Sequence, residues 1–131
     1  MQELGFSYHI DDVSRDEPFI QKVDAKDFIV VPYTLRDNDI LLIEGSNFTL
    51  GQFLDQINLD FDQLYDEGAT RRRMMSISAH DRISGTPAMV RVWDEFLRYA
   101  KSRSGVAFMG KDDIAKYIRS RPLTLCESET I

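Results

Sequence analysis

The apolar positions at the start of the chain follow the pattern of short strands. Residues 6–10 form an apolar-aromatic segment that runs into a polar, acidic turn, and residues 19–23 form a second short extended piece. Residues 28–33 are a continuous apolar run rich in β-branched side chains and closed by proline, which is typical of a strand buried on both faces. Residues 40–43 fit either a strand or a short helix.

From Thr49 onward the apolar residues recur at helical spacing. Thr49 and Gln52 fit a capping box, in which the two side chains bind amide groups at the start of a helix, and Gly68 can end that helix. A second helix is predicted to start at Thr86 and Pro87, and a third covers residues 111–120. The apolar face of the first helix consists of Leu50, Phe53, Leu54, Ile57, Phe61 and Leu64.

Two more strands are predicted between these helices, at residues 74–78 and 106–109. Strands that alternate with helices imply parallel β/α units, whose helices cover a sheet or a barrel wall. The pattern therefore predicts an α/β fold with four to five strands and three helices. In such folds ligands bind where the strands end, so polar residues at strand ends are the first candidates for chemistry.

Composition and charge predict a globular protein and disfavour some classes of function. The 131 residues are 43% apolar and 29% charged, which predicts one globular domain with its own core. The formal net charge of −6 disfavours a nucleic-acid or anionic-membrane surface, because phosphate binding needs a concentrated positive field. No apolar stretch approaches the ~20 residues that cross a bilayer.

The single cysteine and the amino terminus predict a cytoplasmic location. Cys126 cannot form an intrachain disulfide, which is usual in a reducing compartment. The first five residues contain neither a basic region nor an apolar core, so they do not resemble a secretion signal. Residues 122–131 are predicted to be a flexible polar tail that follows a folded region of residues 1–121.

His80 is the strongest candidate for chemistry. It follows the predicted strand at residues 74–78, and imidazole can transfer protons near neutral pH, but a histidine here could equally well only bind the next loop. The other histidine, His9, lies within a predicted strand, where a packing role is favoured. No His or Cys stands near either at metal-ligand spacing, so we expect no metal site or cofactor within this chain alone. Asp11, Asp12 and Asp16 crowd one strand end, where they could hold a metal, orient a histidine or simply form a solvated acidic loop.

Several segments together resemble one protein family. The resemblance covers about residues 3–121 and rests on the order of residues 4–18, Val31-Pro32-Tyr33-Thr34 with Asn38-Asp39, residues 61–68 and residues 74–87. These segments resemble the polysaccharide deacetylases with the NodB-homology domain. Within that family they are most similar to the branch of peptidoglycan-deacetylase-like, chitooligosaccharide-deacetylase-like and allantoinase-like proteins.

The resemblance implies a fold, a reaction and roles for individual residues. The fold would be the carboxy-terminal half of a distorted (β/α) barrel. The reaction would be hydrolysis of a non-peptide C–N bond in a small carbohydrate or a ureide, with a divalent metal, commonly zinc, in the full-length enzyme. His80 matches a general acid that protonates the leaving nitrogen, although Ser78 replaces the leucine usual in that motif. Asp11 and Asp16 match an acidic motif that orients this histidine. Pro32, Tyr33 and Arg82 would line the substrate pocket.

The chain also departs from the family pattern. The early Asp motif and the His-x-x-x-His metal ligands have no counterpart here. We therefore expect either a truncated enzyme that is inactive alone or a natural half-barrel that pairs with another chain, such as an amino-terminal half or a second copy. Exposed strand edges and apolar helix faces favour self-association.

Two alternatives remain open at this level. One is a non-catalytic glycan-binding or regulatory half-barrel that self-associates. The other is a small, free-standing α/β binding protein unrelated to the family.

Overall fold

A three-stranded sheet forms at the amino-terminal end of the chain. In the computed structural model, residues 1–120 are described. After a short 3₁₀ helix at Gln2–Leu4, the strands are β1 (Tyr8–His9), β2 (Phe19–Val23) and β3 (Lys26–Val30), in the sheet order β1-β3-β2. β1 runs parallel to β3, and β2 pairs antiparallel with β3 from Phe19↔Val30 to Val23↔Lys26. The sheet is therefore mixed, whereas strand and helix alternation had predicted parallel pairing.

The connection between β2 and β3 is a two-residue hairpin loop. Asp24 and Ala25 both have positive φ angles, 48° and 63°. Two central residues in this region form the tight turn whose twist matches that of the flanking strands. The hairpin explains the antiparallel pair, because two residues are too few for the crossover that a parallel neighbour needs.

Within residues 1–120, four α-helices and one π-helix follow the sheet. The π-helix is Ile40–Gly45, and the α-helices are α1 (Leu50–Glu67), α2 (Asp81–Ser84), α3 (Pro87–Ser102) and α4 (Lys111–Ser120). The segment that fitted strand or helix is therefore the π-helix. The capping box is confirmed: Thr49 Oγ1 accepts from the Gln52 amide at 3.2 Å, and Gln52 Oε1 accepts from the Thr49 amide at 2.9 Å.

Two apolar clusters hold these elements together. In the larger one, the buried faces of α1 and α3 pack on each other around Phe53, Phe61 and Phe96. In the smaller one, Ile29 and Val31 from the region of β3 pack against Ala115 and Ile118 of α4. Both clusters follow from the helical spacing of apolar residues, because that spacing puts them on one side of each helix.

Two predicted strands are absent from residues 1–120. Residues 74–77 belong to no helix or strand, and only Ser78 of this segment pairs with another, through an isolated parallel bridge to Asn38. Residues 106–109 have no strand pairing, and Phe108 and Met109 are exposed. A strand needs a neighbour that supplies donors and acceptors, which periodicity cannot reveal. The described part is α/β as predicted, while the barrel is not confirmed.

The predicted tail at residues 122–131 and Cys126 both lie outside the described residues. Within residues 1–120 no helix is both long and apolar enough to cross a membrane.

Candidate active site

His80 lies at the start of α2, where the chain leaves its bridge with residues 37–39. The Ser78 amide donates to the Asp37 carbonyl at 2.8 Å, and the Asp39 amide donates to the Ser78 carbonyl at 3.1 Å. These two bonds place residues 37–39 beside residues 78–80, although about 40 positions of sequence separate them. His80 then has extended backbone angles as the N-cap of α2, and its side chain is 42% exposed.

The Asp39 side chain binds His80 at two points. Asp39 Oδ1 lies 2.6 Å from His80 Nδ1, and Asp39 Oδ2 accepts from the His80 backbone amide at 2.7 Å. An ionised carboxylate only accepts hydrogen bonds, so the ring proton resides on Nδ1. The ring nitrogen left to exchange a proton with a substrate is therefore Nε2. A carboxylate behind a histidine in this way fixes the tautomer and stabilises the imidazolium form.

Hydrogen bonds keep Asp39 ionised although its side chain is fully buried. Burial by itself favours the neutral acid, but bonds from the Ser84 hydroxyl, the His80 amide and the His80 ring outweigh it and lower the pKa of Asp39. The Ser84 Oγ donates to Asp39 Oδ2 at 2.6 Å. The site thus combines a buried negative charge with a histidine that reaches the surface.

Arg82, two residues after His80, binds Glu44. The guanidinium makes two bonds to the two carboxylate oxygens, the one from Nη2 to Oε2 at 2.7 Å. Glu44 lies in the last turn of the π-helix, and Arg82 lowers its pKa through the hydrogen bond. The predicted role of Arg82 in substrate binding stays a prediction, because here its donors meet a carboxylate of the same chain.

The carboxylate that contacts the histidine differs from the predicted ones. The sequence assigned this contact to Asp11 and Asp16, whereas the structure assigns it to Asp39. Asp16 binds Arg36 Nη2 at 3.2 Å, and Asp11 is exposed in the loop after β1. The reason is the bridge between residues 38 and 78, which places Asp39 beside the ring. Any catalytic role of Asp11 and Asp16 stays a prediction.

Tyr33 and Asp16 line the same cleft. The cleft has a volume of about 250 Å³, and its walls are Val13, Asp16, Tyr33, Thr34, Leu35 and Arg36. Pro32 is fully buried, so it can shape the wall of a pocket but offers little surface to a ligand. Its carbonyl accepts from Lys111 Nζ at 3.0 Å, and that ammonium group lies 5.7 Å from the centre of the Tyr33 ring.

Asp39 is the candidate site residue that sequence reasoning missed. In the sequence it stands out only as part of the segment with Asn38 that resembles the family. One signal could have identified it: it follows shortly after the end of a buried strand, and strand ends collect at one edge of an α/β fold. The choice among the several aspartates of this part of the chain still required the tertiary structure.

The residues described do not fit a metal site. Within residues 1–120, no three His, Cys, Asp or Glu side chains come together as a group that could hold an ion. A catalytic zinc normally has three protein ligands, and the hydrogen bond that the described residues give the His80 ring to a carboxylate is the one to Asp39. We therefore assign no chemical step of this chain to a metal.

Comparison with known proteins gives consistent matches. A candidate polysaccharide deacetylase of Schizosaccharomyces pombe is 32% identical over 95 residues, which are 71% of this chain and 30% of that protein. The crystal structure of a probable polysaccharide deacetylase from Pseudomonas aeruginosa PAO1 matches with a TM-score of 0.86 and 35% identity, over 93% of this chain and 42% of that one. The crystal structure of the Puue allantoinase matches with a TM-score of 0.86 and 34% identity, over 92% of this chain and 41% of that one.

The solved structures share the fold of this chain, but each match covers less than half of the matched protein. No protein-family model matches the chain. The chain spans about a third to two-fifths of the length of the relatives it matches. Fold, identity and the resemblance of individual segments nevertheless agree, and the chain belongs to the family of polysaccharide deacetylases and allantoinase-like proteins.

Proposed function

We propose that this chain supplies the acid–base histidine of a hydrolase that acts on non-peptide C–N bonds. The observation that carries the proposal is the contact between His80 and the buried Asp39 carboxylate. The substrate would be a small carbohydrate with an N-acetyl group or a ureide, the two kinds of compound that the names of the relatives suggest.

The proposed step is proton donation to the leaving nitrogen. When water has added to the substrate carbonyl carbon, the C–N bond breaks and the nitrogen takes a proton from Nε2 of the His80 imidazolium. Asp39 holds the ring at Nδ1 and stabilises its positive charge before transfer. Because Asp39 is buried and ionised, this stabilisation acts in surroundings that screen charge poorly. General acid catalysis of this kind contributes typically about 10²–10⁴-fold to the rate.

In this proposal, the ligands of the divalent metal expected for the full-length family enzyme come from residues outside this chain. We expect that this chain, incubated with zinc and then desalted, retains no metal in elemental analysis. Retention of about one zinc ion per chain would contradict this expectation, since it would reveal ligands among residues that the geometry leaves apart.

The function is tested in a chimera. Residues 1–120 would replace the matching segment of the P. aeruginosa relative, whose fold they share. Turnover would be measured as acetate released from N-acetylated chitooligosaccharides and as loss of allantoin. We expect His80→Gln to lower kcat by about 10²–10⁴-fold.

His9→Gln is the matched control, because His9 is the other histidine in the chain and lies in β1 against Gln21 and Phe28. We expect it to keep the kcat of the unmodified chimera. Equal rates for the unmodified chimera and His80→Gln would contradict the proposal. Glycan binding by the chain that survives His80→Gln, with no turnover by the chimera, would favour the non-catalytic alternative.

A further inference from the structure

Ser84 contacts the buried carboxylate of Asp39 from the other end of the one-turn helix α2. It is the last residue of α2, it is buried, and its Oγ lies 2.6 Å from Asp39 Oδ2. Residues four apart lie on the same side of a helical turn, so Ser84 and His80 both reach Asp39. The Ser84 amide also donates to the His80 carbonyl at 2.8 Å, which closes this turn.

The donors divide unequally between the two oxygens of Asp39. Oδ2 accepts from the His80 amide at 2.7 Å and from the Ser84 hydroxyl at 2.6 Å, while the hydrogen-bond partner of Oδ1 among residues 1–120 is His80 Nδ1. Two donors that converge on one oxygen restrict rotation of the carboxylate about its Cβ–Cγ bond. The orientation of Oδ1 is thereby set by groups other than the imidazole.

We propose that Ser84 is a positioning residue for His80: its hydroxyl holds Asp39 so that Oδ1 meets Nδ1 and the ring keeps Nε2 for the substrate. This inference rests on the proposed function, in which Nε2 gives up the proton. Ser84 touches no substrate and acts only through Asp39.

The hydrogen bond between Ser84 and Asp39 can run in only one direction. An ionised carboxylate has no proton to give, so the Ser84 O–H must be the donor. Removal of the hydroxyl leaves Oδ2 with the backbone amide alone, and the carboxylate can then turn about the remaining bond. The imidazole would lose its fixed acceptor and populate both neutral tautomers.

The test is the tautomer of His80, read from ¹⁵N resonances of the labelled imidazole in the intact chain at about pH 8, where an ordinary imidazole is neutral. Protonated and unprotonated ring nitrogens give well-separated resonances. We expect the unmodified chain to show one protonated nitrogen, Nδ1, and one unprotonated nitrogen, Nε2. In Ser84→Ala the two resonances should move toward each other as the tautomers mix.

Two controls keep the test decisive. His9 lies in β1, so its resonances should stay unchanged and report that the sheet is intact. Ser84→Cys retains most of the side-chain volume but replaces the hydroxyl with a weaker donor, and we expect an intermediate mixture. This variant also decides the question if Ser84→Ala does not fold.

The outcomes separate this inference from the proposed function. Resonances of His80 that match the unmodified chain in every folded Ser84 variant would overturn the positioning role. A tautomer that depends on Ser84, together with full activity of the His80→Gln chimera, would contradict the proposed function but leave the contact through Asp39 in place.

Discussion

Asp37 and Asp39 stand two residues apart, and both are completely buried, yet their surroundings are opposite. Asp39 receives three hydrogen bonds, and its pKa is lowered. Asp37 receives no hydrogen bond at either carboxylate oxygen from the described residues. Burial, and after it the nearby Asp60 carboxyl, raise the pKa of Asp37 to about 7.

The difference shows that burial alone does not decide the charge of a side chain. A buried carboxylate stays ionised when donors replace the water it has lost, and it favours the neutral acid when they are missing. The two aspartates also flank the bridge to Ser78, which holds His80 in place. One short segment thus contains an orienting charge and a group that can carry a proton near neutral pH.

The largest expected effect is the dependence of stability on pH through Asp37. Its pKa in the folded chain, about 7, exceeds the ordinary value of 3.8, so between these values the folded state holds a proton that the unfolded chain has released. This contribution to the free energy of unfolding is complete below about pH 4 and is lost as the pH rises through 7. We expect Asp37→Asn to remove a decline of up to about 4 kcal/mol over this range.

The measurement is urea unfolding of the unmodified chain and Asp37→Asn at intervals of pH, with the difference between the two taken at each pH. Taking the difference cancels titration of the other carboxylates. Asp55→Asn, an exposed position on α1, is the matched control and should show the pH profile of the unmodified chain. Parallel profiles for Asp37→Asn and the unmodified chain would refute the contrast between the two aspartates.

The next largest effect is expected for Asp39→Ala. The substitution leaves the Ser84 hydroxyl and the His80 amide without their acceptor, and bonds to a charged group are the stronger kind. We expect the free energy of unfolding at pH 7 to fall by roughly 3 kcal/mol. Asp39→Asn should lose less, since its amide oxygen can still accept from one donor. A loss below that of Asp55→Ala, measured by urea unfolding, would be inconsistent with the contacts of Asp39.

The smallest expected effect concerns Asp60, the neighbour that helps to raise the pKa of Asp37. Asp60 Oδ2 accepts from Gln56 at 3.0 Å and lies 3.8 Å from Arg36 Nε. Asp60→Asn removes a negative charge, so the pKa of Asp37 should fall and the pH-dependent decline should shrink by about 1 kcal/mol. The same urea series measures it, with Asp66→Asn, exposed on the same helix, as control. A steeper decline would show that Asp60 acts mainly through Arg36.

The sequence predicted the helices of this protein better than its strands. The helix at Leu50–Glu67, its Thr49 cap and the proline start of Pro87–Ser102 are all local features, and each is present. Residues 74–78 and 106–109 have the composition of strands but form none within the described part of the chain. Helix bonds lie within one segment, whereas a strand depends on a distant neighbour that local patterns do not contain.

The candidate site, too, was predicted from the sequence only in its local features. The sequence by itself placed His80 after an apolar segment and within a polar loop, because the residue types before and after it mark that change. Only the tertiary structure decided that Asp39 is its carboxylate, that Asp16 binds Arg36 instead, and that Asp37 accepts no hydrogen bond from the described residues. Those assignments depend on contacts between residues up to 45 positions apart and on which carboxylates lose water, and both are properties of the packed chain.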